Sequence, residues 1–300
     1  MINFLRYRYI SYSFFAFLVA AFAGLYYYRG FNYSVDFTGG TQIILRFDKN
    51  VSLDQVRSIL KQEKWKGVEV SAFDKKDVRI RIQDVSVETI GLGEKIKNVL
   101  EKSLPDTKAD VLQSEQVSPS IGKSLVWNAI KAVLLALLFM LAYIFIRFKF
   151  SFAIGAVAAL IHDALVICTF FLLLNWEISV DVIAALLMTL GYSVNDTIVI
   201  FARIREKLKE AGRNVPLETI VNEALNQTFR RTLLTSFSTF LVVASVLFLG
   251  GEALRSLSFA LLLGIIFGTY SSIFIASPIM LMFYKGAYRK ERESSASVAQ

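Results

Sequence analysis

An amide and a carboxylic acid, Asn195 and Asp196, stand side by side inside an apolar run from Val180 to Ala202. That run is long enough to cross a bilayer, which takes roughly 20 residues for about 30 Å of hydrocarbon. A charged group at such depth costs at least about 2.5 kcal/mol on insertion scales, so it marks a working group: an ion relay, a charge partner or a substrate contact. The acid cannot face lipid, and its helix must pack against others. A second polar pair, His162-Asp163, lies inside the apolar run Phe150–Leu174. At about 1.5 Å of rise per residue, that places the pair close to the membrane midplane. His162 is the only histidine in the chain.

Arg230 and Arg231 stand at the entry to a further apolar run, Leu233–Leu249. A guanidinium beside a carboxylate favours its charged form, and burial disfavours it. An acid balanced between these effects can change protonation when a helix moves. One charge moved through 100 mV is worth about 2.3 kcal/mol, enough for a modest domain motion per proton. The same residues also permit a fixed Asp196–Arg231 pair that only locks helix packing. His162 is likewise open between a hydrogen-bonded packing residue and a working one. One histidine and one cysteine, Cys168, offer no ligand set for zinc, so no metal site is expected. No cofactor signature is present either. Thr38-Gly39-Gly40 lacks the spacing of a phosphate-binding glycine loop and reads as a turn that needs positive φ.

These residues need a membrane to hold them, and the bulk numbers provide one. Apolar residues make up 55% of the chain and charged residues 19%, with a mean hydropathy of +0.51. The apolar residues come in six blocks near Ile10–Tyr28, Ala129–Ile146, Phe150–Leu174, Val180–Ala202, Leu233–Leu249 and Leu254–Phe283. Each approaches or exceeds the length of a membrane span. The first block has Arg6 and Arg8 before it and no small-residue cleavage site after it, so it reads as a retained anchor. Gly264 and Gly268 in the last block, and Gly155 and Ala159 in the third, are small-residue faces suited to close helix packing.

Orientation follows from the basic residues. Arg6 and Arg8, then Arg147 and Lys149, then a cluster from Arg203 to Arg231, then Lys285 to Arg292 all fall on one side of six spans. The positive-inside rule puts that side, and both termini, in the cytoplasm. The long segment Arg29–Lys123 then lies outside, and it carries 16 Lys/Arg against 14 Asp/Glu. The net charge of +8 is therefore a topology signal from the inside loops and says nothing for nucleic acid. Within the inside loop 203–231, Leu217, Ile220, Val221, Ala224, Leu225 and Phe229 form an apolar stripe suited to a helix in the cytoplasmic interface, in contact with membrane lipids. The tail Glu293–Gln300 is small and polar, and is expected to be disordered.

The outside segment alternates polar and apolar residues. Strands are expected at Thr41–Asp48, Val68–Phe73, Val78–Ile82 and Thr107–Gln113, and helices at Ser52–Leu60 and Val87–Leu104. Asp74-Lys75-Lys76-Asp77 is expected to form the turn between the second and third strands. That order, βαββαβ, is the one found in ferredoxin-like folds. The expected organisation is therefore a first anchor (1–28), an outside α+β domain (29–125), five further membrane helices (126–284) and a cytoplasmic tail (285–300).

Four segments resemble the SecD/SecF family of bacterial export proteins, on its SecF side: Val35-Asp36-Phe37-Thr38-Gly39-Gly40-Thr41, Ala159-Leu160-Ile161-His162-Asp163, Gly191–Arg203 (GYSVNDTIVIFAR) and Asn226–Ser236 with Arg231-Thr232-Leu233-Leu234-Thr235-Ser236. The resemblance covers the order of all six spans and the position of the outside domain. It implies half of a twelve-span unit of the RND superfamily, completed by SecD in the bacterial inner membrane. Such a unit works beside the SecYEG channel and uses the proton gradient to promote release of secreted preproteins. It implies no enzyme activity. Position by position, Asp196 matches the proton-linked acid, with Asn195 beside it and Arg231 as its partner. His162 and Asp163 match the third-span pair, and Asp36, Gly39 and Gly40 the motif of the outside segment. Arg230 departs from the family, which more often has a small or polar residue there. The competing reading is an RND-type half-transporter of lipids or small molecules. Against it, the outside domain is small for a substrate porter, and the chain holds no second six-span repeat. A scaffold with a purely structural Asp196–Arg231 contact is a third reading. An intramembrane protease would need a second catalytic acid in a glycine-rich motif, which Asp163 lacks.

Overall fold

The computed structural model describes residues 2–63, 65, 67–73, 76–82, 91–104, 107–211 and 215–285. The expected disordered tail, the start of the helix expected from Val87, the residues Asp74-Lys75 of the expected turn and residues 212–214 lie outside that set. The described chain forms two compact units. One contains residues 1–32, 132–176 and 181–300, and the other residues 33–131 and 177–180.

The helical unit is built from the apolar blocks. Its helices are α1 (Arg8–Arg29), the second half of α5 (Pro119–Arg147), α6 (Phe150–Leu174), α7 (Val180–Glu210), α8 (Leu217–Leu249) and α9 (Gly251–Ser271). A π-helical turn, Ser272–Ala276, follows α9, and the chain stays helical to Lys285. Among the described residues, six helices are long and apolar enough to cross a membrane. The α6, α7 and α9 helices provide most of the buried residues, while α1, α5 and α8 keep large apolar side chains such as Phe17, Phe139 and Val242 exposed. Outward apolar faces are the ordinary state of helices solvated by lipid.

Two helices run further than the apolar blocks. The α7 helix continues eight residues past Ala202 to Glu210, and α8 begins at Leu217 and runs unbroken into the fifth span. The apolar stripe expected on a separate interfacial helix is thus the first part of α8. Its residues Leu217, Ile220, Val221, Ala224 and Leu225 are buried. Lys207 pairs with Glu210 at 3.0 Å and Glu223 at 3.3 Å, joining the two extensions. The segment before α1 is fixed to the same part of α8. Ile2 and Phe4 donate their backbone N–H groups to Oδ1 of Asn226 and Asn222, both at 2.8 Å. Both amides donate in return to Ile2 O, at 2.7 and 2.9 Å.

The polar unit holds β1 (Asn32–Tyr33), a one-turn helix α2 (Val35–Thr38), β2 (Gly40–Phe47), α3 (Leu53–Gln62), β3 (Glu69–Ala72), β4 (Asp77–Ile82), α4 (Leu92–Ser103), β5 (Ala109–Val117) and β6 (Glu177–Ile178). Its four-stranded sheet runs β3-β4-β2-β5, with every neighbouring pair antiparallel. Alternation sets the register, since Ile43 faces Ile80 and Leu45 faces Val78 across the centre of the sheet. These residues join Val56 and Leu60 of α3 and Ile96 and Leu100 of α4 in one core. The α4 helix begins at Leu92, because Gly91 takes a left-handed conformation at its N-cap. Cross-strand Arg46 grips Asp77 through two 2.8 Å hydrogen bonds.

Candidate functional site

Two faces of α7 carry its polar residues, and helical spacing explains both. Thr189, Ser193 and Thr197 recur every four residues and share one face, while Tyr192 and Asp196 share the next. The first face packs against α9. Gly264 and Gly268 make this possible, since a Cβ at Gly264 would overlap the Thr189 side chain and one at Gly268 would lie 3.0 Å from Ser193 Cβ. This is the close packing expected from the small-residue spacing. Gly155 does the same for α6, where a Cβ would meet the backbone of Ala276 and the side chain of Met280.

Asp163 sits at this dry contact, with 0% exposure. Its Oδ2 accepts from Ser193 at 2.5 Å and from Ser271 at 2.9 Å, and its Oδ1 lies 3.1 Å from Nδ1 of His162. A second set of hydroxyls continues from it: Ser272 bonds Thr197 at 2.8 Å and donates to Ser193 O at 3.3 Å. These serines flank the start of the π-helical turn, a feature often found at functional sites. His162 is also fully buried. Its ring lies among Phe14, Phe15, Phe267 and Tyr270, with centroids 5.6 to 6.4 Å away, and its Nε2 has no hydrogen-bond partner.

Asp196 belongs to the other face and a different set of partners. It is 6% exposed, and its Oδ2 accepts from Ser236 of α8 at 3.3 Å. Ser236 in turn accepts from Thr269 of α9 at 2.7 Å and from Tyr192 at a long 3.5 Å. The two acids share no hydrogen-bond partner. Both Arg230 and Arg231 are exposed, as is Asn195, and no ion pair joins Asp196 to either arginine. Among the described residues no group of three or more His, Cys, Asp or Glu side chains is placed to hold a metal.

In the polar unit, Gly39 and Gly40 both have positive φ, 75° and 123°, so this motif is a turn that excludes side chains. Asp36 accepts from Ser34 Oγ at 2.9 Å and from the backbone N–H of Val180 at 3.2 Å. The sequence names both acids but not their hydroxyl partners Ser193, Ser236 and Ser271. Ser193 and Ser236 fall within segments already singled out, Gly191–Arg203 and Asn226–Ser236, whereas Ser271 lies in none of them.

Residues 95–286 match the model for the C-terminal part of the protein export membrane proteins SecD/SecF, and residues 29–51 match the SecD/SecF GG motif. The chain belongs to the SecD/SecF family. Protein translocase subunit SecF of Calditerrivibrio nitroreducens is 39% identical over 259 residues, which cover 85% of this chain and 84% of that protein. SecF of Helicobacter pylori strain J99 is 34% identical over 100% of this chain and 93% of that protein. SecDF of Thermus thermophilus is 38% identical over 93% of this chain, which spans only 38% of that longer relative. The crystal structure of that translocon-associated SecDF matches with a TM-score of 0.86 at 36% identity, over 95% of this chain and 39% of the other. The chain is thus a polytopic helical membrane protein of this family.

Proposed function

We propose that the chain is a SecF-type subunit of the Sec export machinery. It works with a SecD-type partner beside the SecYEG channel, and it uses the proton gradient to promote translocation and release of preproteins. It lies in the bacterial inner membrane with both termini in the cytoplasm and the polar unit on the periplasmic side. The polar unit is read as ferredoxin-like, because its elements run βαββαβ and its sheet has the order β5-β2-β4-β3. Asp196 is the proton-linked acid, Arg231 its charge partner and Asn195 its neighbour, with Asp163 and His162 as a second polar pair in the coupling path.

One observation carries this reading: a carboxylate, Asp196, is held in the interior of an apolar bundle by a single hydroxyl from another helix, Ser236. A group held so lightly can change its protonation and its partner together.

The test is purification from membranes in mild detergent, with the chain and a SecD-type partner expressed together. A stable one-to-one complex that restores preprotein release to cells lacking both subunits is the expected result. A solitary monomer, or a complex that does not restore release, overturns the reading.

A further inference from the structure

The Asp36–Gly40 motif takes no part in the hydroxyl networks around Asp163 and Asp196, yet it bonds the first residue of the helix that carries Asp196. Val180 begins α7, and its N–H is one of four with no partner inside the helix. That N–H is taken by Asp36 Oδ2 at 3.2 Å, and Ser34 Oγ donates to the same oxygen at 2.9 Å. A carboxylate at a helix N-terminus is also favoured by the helix dipole. Two residues earlier, Ile178 O accepts from the N–H of Ser34 at 3.0 Å. The turn that presents these groups needs its glycines, Gly39 and Gly40 at positive φ, and a third at Gly122, where a Cβ would lie 2.7 Å from Phe37 O.

A second grip holds the same linker. Glu177 pairs with Arg81, and with Arg79 at 3.5 Å. Arg81 is only 4% exposed, and its remaining contacts are Glu69 at 3.2 Å and the carbonyl of Tyr33 at 3.3 Å. If Glu177 leaves, the buried Arg81 is left with the exposed Glu69 as its remaining carboxylate, and breaking a buried ion pair is costly, so the pair resists being pulled apart. Consistent with this, residues 177–180 belong to the same compact unit as residues 33–131.

We propose that the Asp36-Phe37-Thr38-Gly39-Gly40 segment is a socket for the 177–180 linker. Asp36 holds the first N–H of α7 and the buried Arg81, with Arg79, holds Glu177. The start of the helix bearing Asp196 is thereby part of the periplasmic unit. Val180 is both the last residue of the linker and the first of α7, so a displacement of that unit reaches the helix with no slack between. Asp36 and Glu177 are positioning residues in this scheme. Its consequence for transport rests on the proton-coupled reading above.

The test is hydrogen exchange across residues 177–184 in the full chain, complexed with its SecD-type partner, for Asp36→Ala, Asp36→Asn and Glu177→Gln. Asp36→Ala should exchange about fivefold faster there, the factor expected when a helix-capping acceptor is removed. Glu177→Gln should do at least as much. Asp36→Asn keeps an acceptor oxygen and the same volume, so it should stay near wild type. Exchange in α4, at residues 92–103, should not change in any of the three, which separates a lost socket from a misfolded unit. Unchanged exchange at 177–184 in both Asp36→Ala and Glu177→Gln overturns the socket. In the same preparations, Asp36→Ala should lose gradient-dependent preprotein release, and Asp36→Asn should retain it. Normal release from an Asp36→Ala protein with raised exchange overturns the positioning role. If wild-type release shows no gradient dependence, the transport reading fails, and the exchange ratio by itself decides the socket.

Discussion

Replacing Asp163 with Leu should destabilise the helical unit far more than replacing it with Asn. The carboxylate is fully buried and satisfies Ser193 and Ser271 through one oxygen and His162 through the other. Leucine matches its bulk but accepts nothing. Ser193 and His162 Nδ1 then lose their partners, and Ser271 falls back on Gly268 O at 3.0 Å. A buried polar group left unsatisfied costs about 1–3 kcal/mol. Two such groups put the loss at about 2–6 kcal/mol, with the lower part of the range favoured by the weaker hydrogen bonds measured inside membranes. Asparagine keeps an oxygen for both serines, so its cost should stay near 1 kcal/mol. Thermal unfolding of the purified protein in detergent reads the difference. A kcal/mol moves the midpoint by roughly 2–4 °C at this size, so Leu should melt at least about 4 °C below wild type and Asn within a few degrees of it. Equal midpoints for Asp163→Leu and wild type would show that the hydroxyl network does not hold α6, α7 and α9 together.

Arg231→Met should abolish gradient-dependent release much as Asp196→Asn does, while Arg230→Met retains most of it, because Arg231 is the charge partner proposed for Asp196 and Arg230 is not; equal release from both variants contradicts this. Asn222→Asp combined with Asn226→Asp keeps side-chain volume but removes both donors to Ile2 O. In a Cys168→Ser background, a cysteine placed at Leu5 should then react with a maleimide about tenfold faster, the factor that 1.4 kcal/mol makes. An unchanged labelling rate would mean that Phe4 packing against Phe229 and Phe274, not the amides, retains the segment.

The membrane helices were the most legible part of the chain. The α6 helix spans Phe150–Leu174, the bounds of the apolar block itself, because a membrane span needs a predominantly apolar stretch of about its own length. The same logic fails at the membrane edge. Polarity stops marking the helix there, so the extension of α7 to Glu210 had no hydropathy signal, and the apolar stripe that marked the start of α8 at Leu217 did not show that the helix runs on unbroken into the fifth span. In the polar unit, alternation located β4 to within one residue. The two acids stood out because charge is expensive in hydrocarbon. Their partners did not, since Ser193, Ser236 and Ser271 differ from other helix serines only in which way the packed helices turn them. The bond from Val180 to Asp36 spans 144 residues, and no local pattern encodes a contact at that separation.

The most direct measurement is preprotein release from spheroplasts under an imposed proton gradient, comparing wild type with Asp196→Asn at equal membrane levels. Asparagine keeps an acceptor for Ser236, so the fold should persist while the titrating group is lost. Proton-coupled export predicts that wild-type release rises with the gradient and that the Asp196→Asn protein, still inserted and still bound to its SecD-type partner, shows no such rise. Release that follows the gradient equally in both proteins would contradict it.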